Sequence, residues 1–229
     1  MRFHTIALAA ALIAATLGQA HAGTISYSAD AFAAEETDWN SFAELQRFDP
    51  SMGMLQQVTL TLHGNLSGIA AAENLNNRAT LLTLTLRAEL SLARPDSLDV
   101  LVSTTPLASQ SFSAAVYDRG IDYAGASGTT LSNLTASSSS SASFTDAPTL
   151  ALFSGPGKVQ LPFVAVGLSQ VSGAGNLAYD FSTYAGGVAS VHYTYQPSAT
   201  LPPVPEPTTW ALMFAGLGVV SWLARRRAA

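Results

Sequence analysis

The chain has 229 residues, no cysteine and a formal net charge of -5. The lack of cysteine excludes disulfides, Cys-ligated zinc, iron–sulfur clusters and thiol nucleophiles. Residues 23–203 carry six basic side chains against fourteen acidic ones, which argues against nucleic acid as a partner, because phosphate recognition needs a basic footprint.

The N-terminus reads MRFHTIALAAALIAATLGQAHA. Arg2 supplies a positive start, Thr5 to Leu17 an apolar stretch, and Ala20-His21-Ala22 a small-residue cleavage site. Residues 1–22 are therefore expected to form a signal helix that the secretion machinery accepts and signal peptidase removes. The mature chain then begins at Gly23. A first core helix is the alternative, and the order of charge, apolar run and small-residue site disfavours it.

Residues 23–200 show a period of two rather than of 3.6. In Thr80–Leu92, Leu82, Leu84, Leu86, Ala88, Leu90 and Leu92 fall on one face, with Thr83, Thr85, Arg87, Glu89 and Ser91 on the other. A strand segregates these two sets, whereas a helix would scatter them. Val58, Leu60 and Leu62 alternate with Thr59, Thr61 and His63 in the same way. So do Val159–Ala165, where Pro162 points to an edge strand, and Val191–Tyr195.

Shorter strands are expected at Thr24–Tyr27, Phe42–Phe48, Leu98–Thr104, Ser111–Tyr117, Thr129–Thr135, Leu150–Phe153 and Ala178–Ser182. Asp-Pro, Asn-Asn and Gly-rich turns separate them. Ser137–Ser141 reads as a flexible loop, with a small-residue strand as the alternative, and Glu35–Glu44 could hold one helical turn. About ten strands at this spacing predict an all-β fold, an antiparallel, jelly-roll-like β-sandwich.

Phe48-Asp49-Pro50-Ser51-Met52-Gly53-Met54-Leu55, followed by Val58–Leu62, resembles the opening of the choice-of-anchor domains, the E type in particular. Phe153–Gly157 and the Val191–Tyr195 strand fit the same pattern. The resemblance covers most of residues 25–197 and implies a surface domain that occurs with different anchoring tails, with no activity attached.

Chemistry-bearing residues are sparse. His63 and His192, the two histidines of the expected mature domain, fall in strands opposite the apolar face. No H-x-H, H-E-x-x-H or G-x-S-x-G pattern occurs. Asp118–Asp122 and Asp96–Asp99 lack the dense oxygen spacing of a calcium loop and read as polar turns. Tyr193 and Tyr195 share one strand face, where they either pack in the core or stack on sugar rings. Asn65 and Asn133 head glycosylation-like triplets that arise often by chance. No cofactor is expected.

The C-terminus reads LPPVPEPTTWALMFAGLGVVSWLARRRAA. A proline-rich approach leads to an apolar run, Trp210–Leu223, and then to Arg225, Arg226 and Arg227. Thr209–Ala224 would span about 24 Å as a helix, short of a hydrocarbon core of about 30 Å. Arginine snorkelling and local thinning could close the gap. A transmembrane helix is therefore expected here, with the three arginines cytoplasmic and the domain outside the inner membrane. A buried helix of a soluble domain is the alternative.

Pro205-Glu206-Pro207, a short apolar segment and a terminal arginine cluster resemble the PEP-CTERM protein-sorting signal over about the last 25 residues. The resemblance implies an exosortase as processing enzyme, with Pro205, Glu206 and Pro207 as recognition residues of a substrate. It also implies transient retention in the inner membrane and delivery to the cell surface.

The expected organisation is thus a signal peptide (1–22), a β-sandwich domain (23–200) and a sorting tail (201–229). The expected role is a non-enzymatic surface or extracellular-matrix protein associated with exopolysaccharide or biofilm. A carbohydrate-binding module and an exported hydrolase are the alternatives.

Overall fold

The computed structural model describes residues 22–198 and 207–227. The expected signal helix, Ala20 included, and Pro205 and Glu206 of the tail lie outside the described residues. The chain divides into two units, one ending at Pro197 and one beginning at Ser198.

The first unit contains β1 (Gly23–Ser28), β2 (Phe32–Glu36), β3 (Trp39–Gln46), β4 (Gly53–Asn74), β5 (Thr80–Ala93), β6 (Val100–Thr104), β7 (Leu107–Ala114), β8 (Gly128–Phe144), a short helix α1 (Ala147–Leu152), β9 (Lys158–Gly167), β10 (Gln170–Ser172) and β11 (Leu177–Pro197). One sheet runs β1-β11-β4-β8, with β2 also on β11. The other runs β10-β5-β9-β3, with β6 and β7 also on β5. All of these pairings are antiparallel, so the expected all-β antiparallel sandwich is met.

The leucine alternation does what its period requires. Leu82, Leu84, Leu86, Leu90 and Leu92 are all fully buried. Leu86, Leu90 and Leu92 of β5 share a core with Val58, Leu60, Leu62 and Leu66 of β4. Leu82 and Leu84 meet Ala70 and Ala72 in a second cluster. Burial of each leucine contributes about 1.5–3 kcal/mol. Two glycines on β4 let the sheets close. A Cβ at Gly64 would lie 2.9 Å from Thr104 Cγ2 and 3.0 Å from Leu90 Cδ1, and one at Gly68 would press on the Ser182 carbonyl and Leu86.

Several expectations are corrected. Leu150–Phe153 is not a strand, because α1 covers most of it. The Asp146 side chain accepts the Thr149 N–H at 2.9 Å and Pro148 occupies the first turn, a start signal stronger than the short apolar run that follows. Ser137–Ser141 is the middle of β8, not a loop. It is paired residue by residue with β4, from Asn65↔Ser137 to Thr61↔Ser141. Glu35–Glu44 holds no helical turn; it spans the end of β2 and most of β3.

Pro162 does not mark an edge strand, since β9 lies between β5 and β3. Pairing with β5 begins only at Phe163, so the proline has β3 alone beside it, which accommodates its missing N–H.

The second unit contains α2 (Pro207–Arg227). The expected helix forms, but its reading as a transmembrane helix is not supported. Among the described residues no helix is long and apolar enough to cross a membrane. The apolar run is short, it is interrupted by Gly216, Gly218 and Ser221, and threonines and arginines make up the ends of the helix. Met213, Leu217, Val220, Trp222 and Leu223 are exposed, and the Arg226 guanidinium lies 4.2 Å from the centre of the Trp222 ring.

Candidate functional site

The two histidines sit on the outward face of the first sheet, as the alternation requires. The register places Ser26 beside His192, His192 beside Thr59, and Thr59 beside Ser143. His192 Nδ1 and Ser26 Oγ are 2.8 Å apart. His63 stands beside Val188 and Ser139. Four residues of β4 register separate the two rows, about 13 Å at about 3.3 Å per residue. Metal ligands must converge within about 2 Å of one point, so the pair cannot share an ion. Among the described residues no group of three His, Asp or Glu side chains could hold a metal.

A Ser–His contact becomes a nucleophile system only when a third group orients the imidazole and a pocket receives the substrate. The neighbours of His192 in its row are hydroxyls, and no carboxylate bonds to it among the described residues. Row after row of this face is hydroxyl-bearing. Thr59 bonds to Ser143 at 2.8 Å and Thr61 to Ser141 at 2.7 Å.

The tyrosines turn inward. Tyr193 is fully buried and donates a 2.7 Å hydrogen bond to the Gln46 carbonyl. Burial, with a smaller contribution from Tyr27, pushes its phenol well above the ordinary tyrosine value. Tyr195 packs on Phe48, with ring centres 5.0 Å apart. Neither ring is presented as a platform for sugars.

The aspartate pairs serve their own turns. Asp118 accepts the Gly120 N–H at 2.9 Å and Asp122 the Ala124 N–H at 3.0 Å. Asp96 pairs with Arg94 at 2.9 Å, and Asp99 accepts the Ser97 hydroxyl at 2.7 Å.

Glu73 was not singled out by its sequence context. It is fully buried, and its Oε2 accepts the Tyr123 N–H at 3.0 Å while its Oε1 has no hydrogen-bond partner. The 115–127 loop folds over it, and Gly128 leaves room for the carboxylate where a Cβ would collide with it. The arrangement clamps the loop to β4. No local pattern around Ala70-Ala71-Ala72-Glu73 announces it.

In the tail, Pro207 opens α2, where a fixed φ and a missing N–H cost least. Arg225 and Arg226 lie in its last turn, a position favoured for cations at a helix C-terminus. The helix backbone extends through Arg227.

Residues 203–227 match the family described as PEP-CTERM protein-sorting motif. No curated protein matches the chain. Among solved structures, the infectious bursal disease virus Gx strain particle aligns at 10% identity over 86% of this chain and 46% of that one, with a TM-score of 0.16. The Gt strain particle of the same virus aligns at 11% identity over 84% and 47%, with a TM-score of 0.12. The chain spans less than half the length of these viral chains, and scores this low carry no argument.

Proposed function

We propose that this chain is an exported substrate of an exosortase, whose β-sandwich is the cargo and whose last residues are the address. The observation that carries the reading is the match of residues 203–227 to the PEP-CTERM protein-sorting motif. Pro205, Glu206 and Pro207 serve as the recognition residues. The apolar surface of α2 and Arg225–Arg227 hold the tail at the inner membrane until it is cut.

At the other end, β1 starts at Gly23, directly after Ala22 of the expected signal peptidase site. The strand order is therefore compatible with removal of residues 1–22. The central unit is a choice-of-anchor E-like domain, a non-enzymatic surface or matrix component that works beside exopolysaccharide. Support comes from the open, hydroxyl-lined setting of His192 and from the separation of the two histidines.

The test is a set of tail variants in a host with an active exosortase. Pro205→Ala and Glu206→Ala should leave the residues beyond about Pro207 attached to the exported protein, while the parent chain loses them. Equal trimming of parent and variants would overturn the reading.

A further inference from the structure

The two edges of the sandwich are built differently. On one side the first sheet ends in the short strands β1 and β2, and the second ends in β3. Asp30, Glu35, Glu36 and Glu44 stand along them. Short strands and charges are the usual protection of a sheet edge against other chains. On the other side the first sheet ends in β8, 17 residues long, and the second in β6 and β7. Residues 100–117 and 123–145 contain no Asp, Glu, Lys, Arg or His, and β8 contains no proline. Among the described residues β8 pairs with β4 alone, which leaves one row of its N–H and C=O groups without a strand partner.

This row is held ready. Hydroxyl pairs lock β8 to β4 at Thr59–Ser143 and Thr61–Ser141, and a 2.6 Å contact between Ser138 and Thr104 braces it against β6 of the other sheet. One irregularity interrupts the ladder near Asn133, whose φ is 62°. Beyond it, Ala136–Phe144 pairs with β4 without interruption and carries mostly serine and alanine, which let another backbone approach closely.

We propose that β8 is an association edge, and that its occupant is β8 of a second copy of this chain, added antiparallel so that two first sheets become one. Charge selects the occupant. The rest of the domain is acidic, so two copies repel across most of their surfaces, and this edge is where they meet without like charges. A serine–alanine strand is also complementary to itself in antiparallel register, because small polar residues face small polar residues along its length. The inference is independent of how the tail is processed.

The test uses the full chain in mild detergent, with mass measured by light scattering across a concentration series. Ser137→Lys/Ser139→Lys places two charges on β8 at side chains that make no hydrogen bond in the described structure. Thr24→Lys places one on β1 as the control. The expected result is a concentration-dependent dimer for the parent and for Thr24→Lys, and a monomer for the β8 variant with an unchanged circular-dichroism spectrum. If that variant does not fold, Ser137→Cys in the otherwise cysteine-free chain replaces it, with Thr24→Cys as control. A disulfide-linked dimer is then expected from the first and not from the second. A monomeric parent, association unaffected by the lysines, or equal cross-linking at both sites would overturn the proposal.

Discussion

The phenol of Tyr193, on β11 of one sheet, donates to the backbone carbonyl of Gln46, on β3 of the other, at 2.7 Å. Phe48, Phe153 and Tyr27 surround the ring. The bond ties the two sheets together at the end where the chain turns into β4. Tyr193→Phe keeps the packing and removes the donor. It is expected to cost about 1 kcal/mol, read as a fall in Tm of about 2–4 °C. An unchanged Tm would mean that the bond does not brace the sheets.

Gly64 marks the closest approach of β4 to the facing sheet. A Cβ there would lie 2.9 Å from Thr104 and 3.0 Å from Leu90. Gly64→Ala is therefore expected to overpack the core and destabilise by about 1–3 kcal/mol, despite alanine's lower backbone entropy cost. Urea denaturation checks the sign. A stabilised variant would contradict the close packing of the two sheets at this point.

Asp146 and Asp49 cap the starts of α1 and of the 3-10 turn Pro50–Met52. The Thr149 N–H and hydroxyl hold the Asp146 carboxyl below its ordinary value of 3.8, and the Ser51 N–H and hydroxyl do the same for Asp49. A carboxyl that is more acidic in the folded state stabilises above its unfolded value and loses that contribution as the pH falls through the folded one. The parent is thus expected to lose stability below about pH 4. Asp49→Asn/Asp146→Asn, which keeps a capping oxygen without the titration, should show a shallower decline. Urea midpoints between about pH 5 and pH 2 test this, and parallel profiles would contradict it.

Glu73 holds the 115–127 loop down through Tyr123. Glu73→Gln retains an acceptor and should keep the loop closed. Glu73→Ala strands the Tyr123 N–H and is expected to cost about 1–3 kcal/mol. The readout is trypsin cleavage after Arg119, which is exposed in that loop. Faster cutting is expected in the alanine variant than in the glutamine variant. Equal rates would show that Glu73 does not restrain the loop.

How far these features are legible in the sequence depends on whether their cause is local. The β5 leucines are readable because alternation is a property of the strand itself. The α1 helix was readable in principle, since Asp146-Ala147-Pro148 is a capping signal that stands before the apolar residues and outranks them. The serine run of β8 carries no apolar pattern. Its strand is imposed by hydrogen-bonding to β4, whose partnering residues, Asn65 to Thr61, lie far away in the chain, so only the assembled sheet reveals it. Glu73 is hidden for the same reason, because its burial depends on a loop 50 residues later. The inward turn of Tyr193 follows the alternation of Ala189, Val191 and Tyr193, which favoured core packing over a sugar platform. The tail motif is legible outright, while the membrane-crossing reading of its helix is not supported, because interfacial arginines and tryptophans suggest more reach than the apolar run provides.

The central claim is that the C-terminal segment is an address that a processing enzyme removes. Intact-mass analysis of the exported protein, from its native host with and without an active exosortase, tests it most directly. Loss of the residues beyond about Pro207 only in the competent host is the expected result. An identical C-terminus in both hosts would contradict it.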